Sequence, residues 1–187
     1  MDNEITVMIN CDRNKLINDL LSQGFKKKDN YFCYDTYMLK NNIDKSNMNI
    51  LDILKECVIV RNIGNFKHLL TYKIKEYDKD NNIINQKKIN LKIDDYKDGI
   101  NFLKVIGYSL FINIYDEILV YEKDSFEICI QYVNDKYLMI EIEVNEKYKS
   151  VDEIINKLKM IDIDYDDSNY YVKKAELVYK DIYLNNN

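Results

Sequence analysis

Leu69-Leu70-Thr71-Tyr72-Lys73-Ile74-Lys75 and Met139-Ile140-Glu141-Ile142-Glu143-Val144 each alternate between two kinds of side chain. Successive side chains of a strand point to opposite faces, so Thr71, Lys73 and Lys75 fall on one side and Leu70, Tyr72 and Ile74 on the other. In the second stretch Glu141 and Glu143 lie together, opposite Ile140, Ile142 and Val144. A helical period would scatter both sets, so the chain is read as strands with one apolar and one polar face. A solvated outer face is the commoner origin of such a stripe in an antiparallel sheet. Two carboxylates side by side nevertheless repel unless a cation or a lysine lies between them.

The same alternation recurs outward from these stretches, at Glu4–Ile9, Cys57–Asn62, Gln86–Ile93 and Phe126–Val133, with strand-like runs at Tyr31–Leu39 and Leu110–Tyr121. Helical spacing appears at Asn14–Gln23, through Leu16, Ile17, Leu20 and Leu21, and at Asp95–Ile106, through Ile100, Leu103 and Ile106. Each stripe ends on a glycine-aromatic pair, Gly24-Phe25 and Gly107-Tyr108, with the glycine suited to the left-handed C′ position. The chain thus reads as two similar halves. A capping box at Ser150-Val151-Asp152-Glu153 opens a third helix to Met160, and a fourth is expected from about Tyr170 to Tyr179. The expected fold is α+β: an antiparallel eight-stranded closed or nearly closed barrel with flanking helices, in a single domain over residues 1–187. About eight strands leave an interior that can hold one small ligand.

Composition narrows the function classes. Hydrophobic residues make up 47% and charged residues 32% of 187, which is globular rather than disordered composition. The longest apolar runs, such as Leu51–Leu54, fall far short of a membrane span, and the acidic Met1-Asp2-Asn3-Glu4 start lacks a basic leader. Cys11, Cys33, Cys57 and Cys129 are scattered and His68 is the only histidine, so no zinc site forms at familiar spacings. Free thiols in a reducing cytoplasm are expected. A formal charge of −5 with both signs interleaved argues against a nucleic-acid surface. His68 reads as a strand-surface residue. Asp162–Asp167 lacks the central glycine and final glutamate of a calcium loop, and reads as a solvated acidic turn.

In order along the chain, Glu4-Ile5-Thr6-Val7-Met8, Gly24-Phe25, Asp35-Thr36-Tyr37, Ile59-Val60-Arg61, Leu70-Thr71-Tyr72-Lys73, Leu103–Tyr108, Ile130–Val133 and Glu141-Ile142-Glu143 resemble the CYTH family. These are the triphosphate-tunnel proteins, which include class IV adenylate cyclases and inorganic triphosphatases. The resemblance implies a tunnel that binds a triphosphate tail, of ATP or inorganic triphosphate, together with Mg2+ or Mn2+. Carried over residue by residue, it makes Arg61 and Lys73 phosphate ligands and Glu4, Glu141 and Glu143 metal ligands. Lys75, Lys88 and Lys92 are added as cations on inward positions.

The family pattern is not complete. Its Glu-x-Glu-x-Lys reads Glu4-x-Thr6-x-Met8, its Arg-x-Arg keeps only Arg61, and its Arg-x-Glu-x-Glu reads Lys88-x-Asn90-x-Lys92. Its basic cluster falls on Asp116-Glu117-Ile118 and its aspartate on Gln131. Three readings follow: a metal-dependent adenylate cyclase or triphosphatase, a non-catalytic tunnel binding a phosphorylated or anionic small molecule, and a structural or interaction module. No nucleic-acid or membrane partner is expected, and a homodimer is left open.

Overall fold

The computed structural model describes residues 4–77, 79 and 83–184, with 83–86 described in backbone only; the Met1-Asp2-Asn3 start lies outside the described residues. Eight strands form one sheet in the order β1-β8-β7-β6-β2-β3-β4-β5. They are β1 (Glu4–Met8), β2 (Lys26–Lys40), β3 (Val58–Ile63), β4 (Lys67–Tyr77), β5 (Ile83–Ile93), β6 (Tyr108–Lys123), β7 (Phe126–Val133) and β8 (Tyr137–Glu143). The helices are α1 (Arg13–Ser22), α2 (Ile50–Lys55), α3 (Tyr96–Val105), α4 (Val151–Lys159) and α5 (Lys174–Tyr183). The ladders between β1 and β8, β2 and β3, β3 and β4, β4 and β5, β6 and β7, and β7 and β8 are all antiparallel. This is the expected α+β fold. The order ends on β1 and β5, with no ladder joining those two among the described residues, so the sheet is open in its hydrogen bonding. Among the described residues no helix is long and apolar enough to cross a membrane.

The chain forms two compact units, Met1–Tyr31 with Asp116–Val172, and Phe32–Tyr115 with Lys173–Asn187. In the first, the apolar sides of β1, β7 and β8 present Ile5, Val7, Ile128, Ile130, Ile140 and Ile142, all at most 2% exposed, to Leu16 and Leu20 of α1 and Ile154 and Leu158 of α4. Asp12 caps α1 by accepting from the Asn14 and Lys15 amides. The Ser150 hydroxyl accepts from the Glu153 amide at 3.2 Å, and the Glu153 carboxylate accepts from the Lys149 amide at 2.5 Å, so the expected capping box forms with its return bond one residue earlier. In the second unit, Met38 and Val60 pack with Leu103 of α3, and Leu70, Ile93 and Ile100 surround them.

Tight turns fix the registers. Asp124-Ser125 joins β6 to β7, and Asn134-Asp135 and Gly64-Asn65 start the β7–β8 and β3–β4 turns, all with positive φ. Positive φ at both central residues is the mirror-image turn whose twist matches paired strands.

Two expectations are corrected. Asp162–Asp167 is not merely a solvated turn: Asn10 donates to the Asp164 carbonyl and Asp166 to the Met8 carbonyl, at 3.0 and 2.9 Å. Further on, Thr6 donates to the Tyr170 carbonyl and Val172 to the Thr6 carbonyl, both at 3.0 Å. Residues 164–172 therefore satisfy the outer edge of β1. Because that segment is extended against β1, α5 starts at Lys174 rather than near Tyr170. The short α2, capped by the Asn49 side chain, shows in the sequence only as an apolar run.

Gly24 and Gly107 end α1 and α3 at φ of 86° and 92°. A Cβ on Gly107 would meet nothing within 4 Å, so only the backbone opposes a side chain there. Gly107→Ala should therefore destabilise the protein by about 1–2 kcal/mol without changing the structure, the cost of a left-handed non-glycine residue. Urea denaturation of the two proteins measures it, and a neutral substitution would show that α3 does not need this terminus.

Candidate functional site

In the first unit the face turned away from α1 and α4 is built by the other half of each alternation. The β1–β8 register sets Glu4 opposite Glu143 and Thr6 opposite Glu141. The β7–β8 and β6–β7 registers set Cys129 opposite Glu141 and Glu122 opposite Glu127. Ligand oxygens of Glu4, Glu141 and Glu143 all lie within 4.8 Å of one another. Three carboxylates that close repel unless a cation sits among them. Their chemistry is that of hard oxygen donors, which suit Mg2+, Mn2+ or Ca2+ rather than thiophilic metals. The residues thus fit the divalent metal that the family resemblance implies. Thr6 stands where the family has a second carboxylate on this strand, and the described cluster is a trio.

Beside the trio is a cleft of about 420 Å³, lined among others by Lys28, Glu122, Glu127, Cys129, Glu143 and Lys147. Lys28 bridges Glu122 and Glu127 at 2.7 and 2.6 Å, which holds its ammonium charged well above the usual lysine range. Burial pushes the Cys129 thiol up, and the carboxylates of Glu141, Glu127, Glu143 and Glu4 push it further. Cys129 is therefore a protonated thiol and not a nucleophile at neutral pH. Lys28 carried no signal in the sequence, because its partners lie 94 and 99 residues away. Asp116, where the resemblance calls for a basic cluster, is 1% exposed, and Glu117 faces α1, where its carboxylate takes both guanidinium nitrogens of Arg13 at 2.5 and 2.6 Å.

In the second unit the registers Arg61 opposite Leu69, Leu69 opposite Lys92 and Lys73 opposite Lys88 put Arg61, Lys73, Lys75, Lys88 and Lys92 on one face of β3, β4 and β5. It is the face opposite Val60, Leu70 and Ile93, which pack with α3. Lys73 and Lys75 are half-buried, whereas their apolar neighbours Tyr72 and Ile74 are 39% and 44% exposed. The five cations expected from the sequence thus share one side of this sheet.

Arg61 has a protein partner that the sequence reading did not assign. Asp35, its cross-strand neighbour, accepts from Nε at 2.7 Å and from a terminal nitrogen at 2.6 Å. Asp35 is 1% exposed. Burial alone would raise its carboxyl, but the Arg61 guanidinium, with help from Lys174 and Lys73, holds it at about 2. Burial works against the Arg61 charge, and Asp35 outweighs it, so the guanidinium stays protonated. A phosphate reaching Arg61 meets a fork that is already engaged.

Known structures share this fold at low sequence identity. A conserved hypothetical protein of Pyrococcus furiosus superposes with a TM-score of 0.71 at 15% identity, over 95% of this chain and 100% of the other. An adenylyl cyclase candidate from Hippeastrum, whose structure reveals a dominant triphosphatase activity, gives 0.67 at 14% identity, over 98% and 97% of the two chains. A chain of the Schizosaccharomyces pombe Mediator head module gives 0.60 at 9% identity, over 88% and 98%. No family model matches the sequence. No curated protein does either. The likeness lies in the fold, and it agrees with the resemblance of the sequence to the triphosphate-tunnel proteins.

The Asp35–Arg61 pair sets a pH dependence. Its folded-state pKa lies below the unfolded value near 3.8, so its contribution is complete above about pH 4 and is lost as pH falls through about 2. That contribution is about 2 kcal/mol at neutral pH. Asp35→Asn, which strands a buried guanidinium, should cost about 3–5 kcal/mol and remove this acid step. Denaturant titrations of both proteins from pH 2 to 7 test it, and an unaltered acid step in Asp35→Asn would reassign the step to other carboxylates.

Proposed function

We propose that this chain, acting as a single domain over residues 1–187 in the cytoplasm, binds a triphosphate together with Mg2+ or Mn2+. The triphosphate is either inorganic or that of a nucleotide such as ATP. The observation that carries the reading is the meeting of Glu4, Glu141 and Glu143 within 4.8 Å, an arrangement whose repulsion a divalent cation relieves. Lys73, Lys75, Lys88 and Lys92, gathered on one face with Arg61, are the proposed phosphate ligands. Four free cysteines accord with a reducing compartment.

A divalent cation, when bound, supplies charge neutralisation to the phosphate tail and polarises its phosphorus–oxygen bonds. The protein's own part is to fix the carboxylates on adjacent strands and to aim the lysine ammonium groups, which are point charges and orient phosphate less strictly than arginine. Turnover as an adenylate cyclase or triphosphatase belongs to this reading. The triphosphatase activity of the Hippeastrum protein lends it support.

Two observations favour a binder without turnover. Thr6 replaces a carboxylate beside the trio, and Asp35 occupies the Arg61 fork. The Mediator head module chain shows that the fold also serves within a large assembly, so a structural role is the remaining alternative.

Calorimetric titration of tripolyphosphate and ATP with and without Mn2+, alongside phosphate and cyclic-nucleotide release, separates these readings. Binding should require metal. Glu141→Gln should weaken Mn2+ binding by at least about 10- to 100-fold, the range for lesser metal-site partners. Lys73→Ala should weaken tripolyphosphate by roughly 10-fold or more, since a hydrogen bond to a charged group contributes about 1.5–3 kcal/mol. Metal-independent binding that survives Glu141→Gln would refute the assignment. Binding without product release makes the protein a binder, and no binding at all leaves the structural role.

A further inference from the structure

The alternation that puts lysines on one face in the second unit puts apolar side chains on the other. On the face of β4 and β5 that α3 covers, Leu70 and Ile93 are packed, but the stripe continues past the helix. Tyr72, Ile74, Ile89 and Leu91 are 39%, 44%, 49% and 61% exposed there, and Tyr72 and Ile89 are cross-strand neighbours. The helix on the same side adds Phe102, Val105 and Ile106 at 55%, 86% and 49%. Together these seven side chains offer apolar area on the order of 600–700 Å², at or beyond the largest patch of an ordinary monomer.

We propose that this face of β4, β5 and α3 is the contact between two copies of this chain. The area is the first argument. A stable two-fold interface buries about 800 Å² on each partner, which the seven side chains and a narrow polar rim supply. The rim is the second. The exposed Lys87, Lys97 and Lys104 stand beside the exposed Glu76, Asp94, Asp95 and Asp98, so the border carries both signs. A patch bordered by both signs can pair with itself across a two-fold axis, where each charge can meet an opposite one of the other copy. A strongly acidic or basic partner finds no such match, and an anionic membrane would require a basic rim.

Sedimentation equilibrium between about 1 and 100 µM, on the full chain, tests this. The wild type should sediment at twice 22.5 kDa over most of that range. Leu91→Glu with Ile74→Glu places four like charges in the interface and should raise the dimer dissociation constant by at least about 100-fold. Val105→Glu on α3, 86% exposed, should do so by itself with an unchanged circular dichroism spectrum, which guards against a strand substitution that unfolds the hairpin. A monomeric wild type at 100 µM overturns the proposal, and if that monomer floats with phosphatidylcholine vesicles the face belongs to a lipid surface. A dimer equally tight in the wild type and in a folded Val105→Glu also overturns it, because the contact then lies elsewhere.

Discussion

A carboxylate with 1% of its surface exposed stays charged only if a cation is locked against it, and Asp35 has Arg61 across the ladder. Most of the second unit follows from that pair. It pins β2 to β3 in one register, because a slip by one residue would put the carboxylate on the α3 side and leave the guanidinium among apolar side chains. Once β3 is placed, the hairpin at Gly64-Asn65 places β4, and the β4–β5 ladder carries Lys73, Lys88 and Lys92 to the same side as Arg61. The cation face is thus a consequence of one buried ion pair propagated through antiparallel registers.

The first unit solves the opposite electrostatic problem. Its polar face holds Glu4, Glu122, Glu127, Glu141 and Glu143, with Lys28 bridging two of them. The protonated Cys129 beside the trio adds no charge. A face of this composition is stable when a small, highly charged cation is available, and water alone screens it less well where strands crowd the carboxylates together. The first unit thus carries an acidic face and the second a basic one, each set by its own strand registers.

How much of this was legible in the sequence follows the range of the interactions. Strands with their faces, the helix ends at Gly24 and Gly107 and the cap at Ser150 are set within about ten residues, and all appear close to where periodicity puts them. Glu141 and Glu143 come together on one strand by alternation alone, whereas Glu4 joins them only through the β1–β8 register, which a resemblance to known tunnels supplied. What remained hidden was long-range. Asp35 was visible as a strand residue, but its hold on Arg61 depends on β2 pairing with β3. Lys28 reaches carboxylates almost one hundred residues distant. The run from Asp164 to Val172 meets β1 only at isolated bridges, Ile9 with Tyr165 and Thr6 with Tyr171, too short for an alternating pattern to mark it.

The period of two also explains why the outer surface of β4 and β5 has the composition it has. A strand that must present lysines to one side at every second position has only the intervening positions for β-forming residues, and Tyr, Ile and Leu are the residues that fit a pleated surface. Where α3 lies over them they are core, at Leu70 and Ile93; beyond its reach the same choice leaves Tyr72, Ile74, Ile89 and Leu91 facing solvent. Polar residues at those positions would weaken the hairpin that holds the cations, and a longer α3 would bury them. The sequence does neither: α3 ends at Val105, two residues before Gly107, with Phe102, Val105 and Ile106 exposed at that end. The strength of the hairpin and the apolar outer surface therefore have one origin.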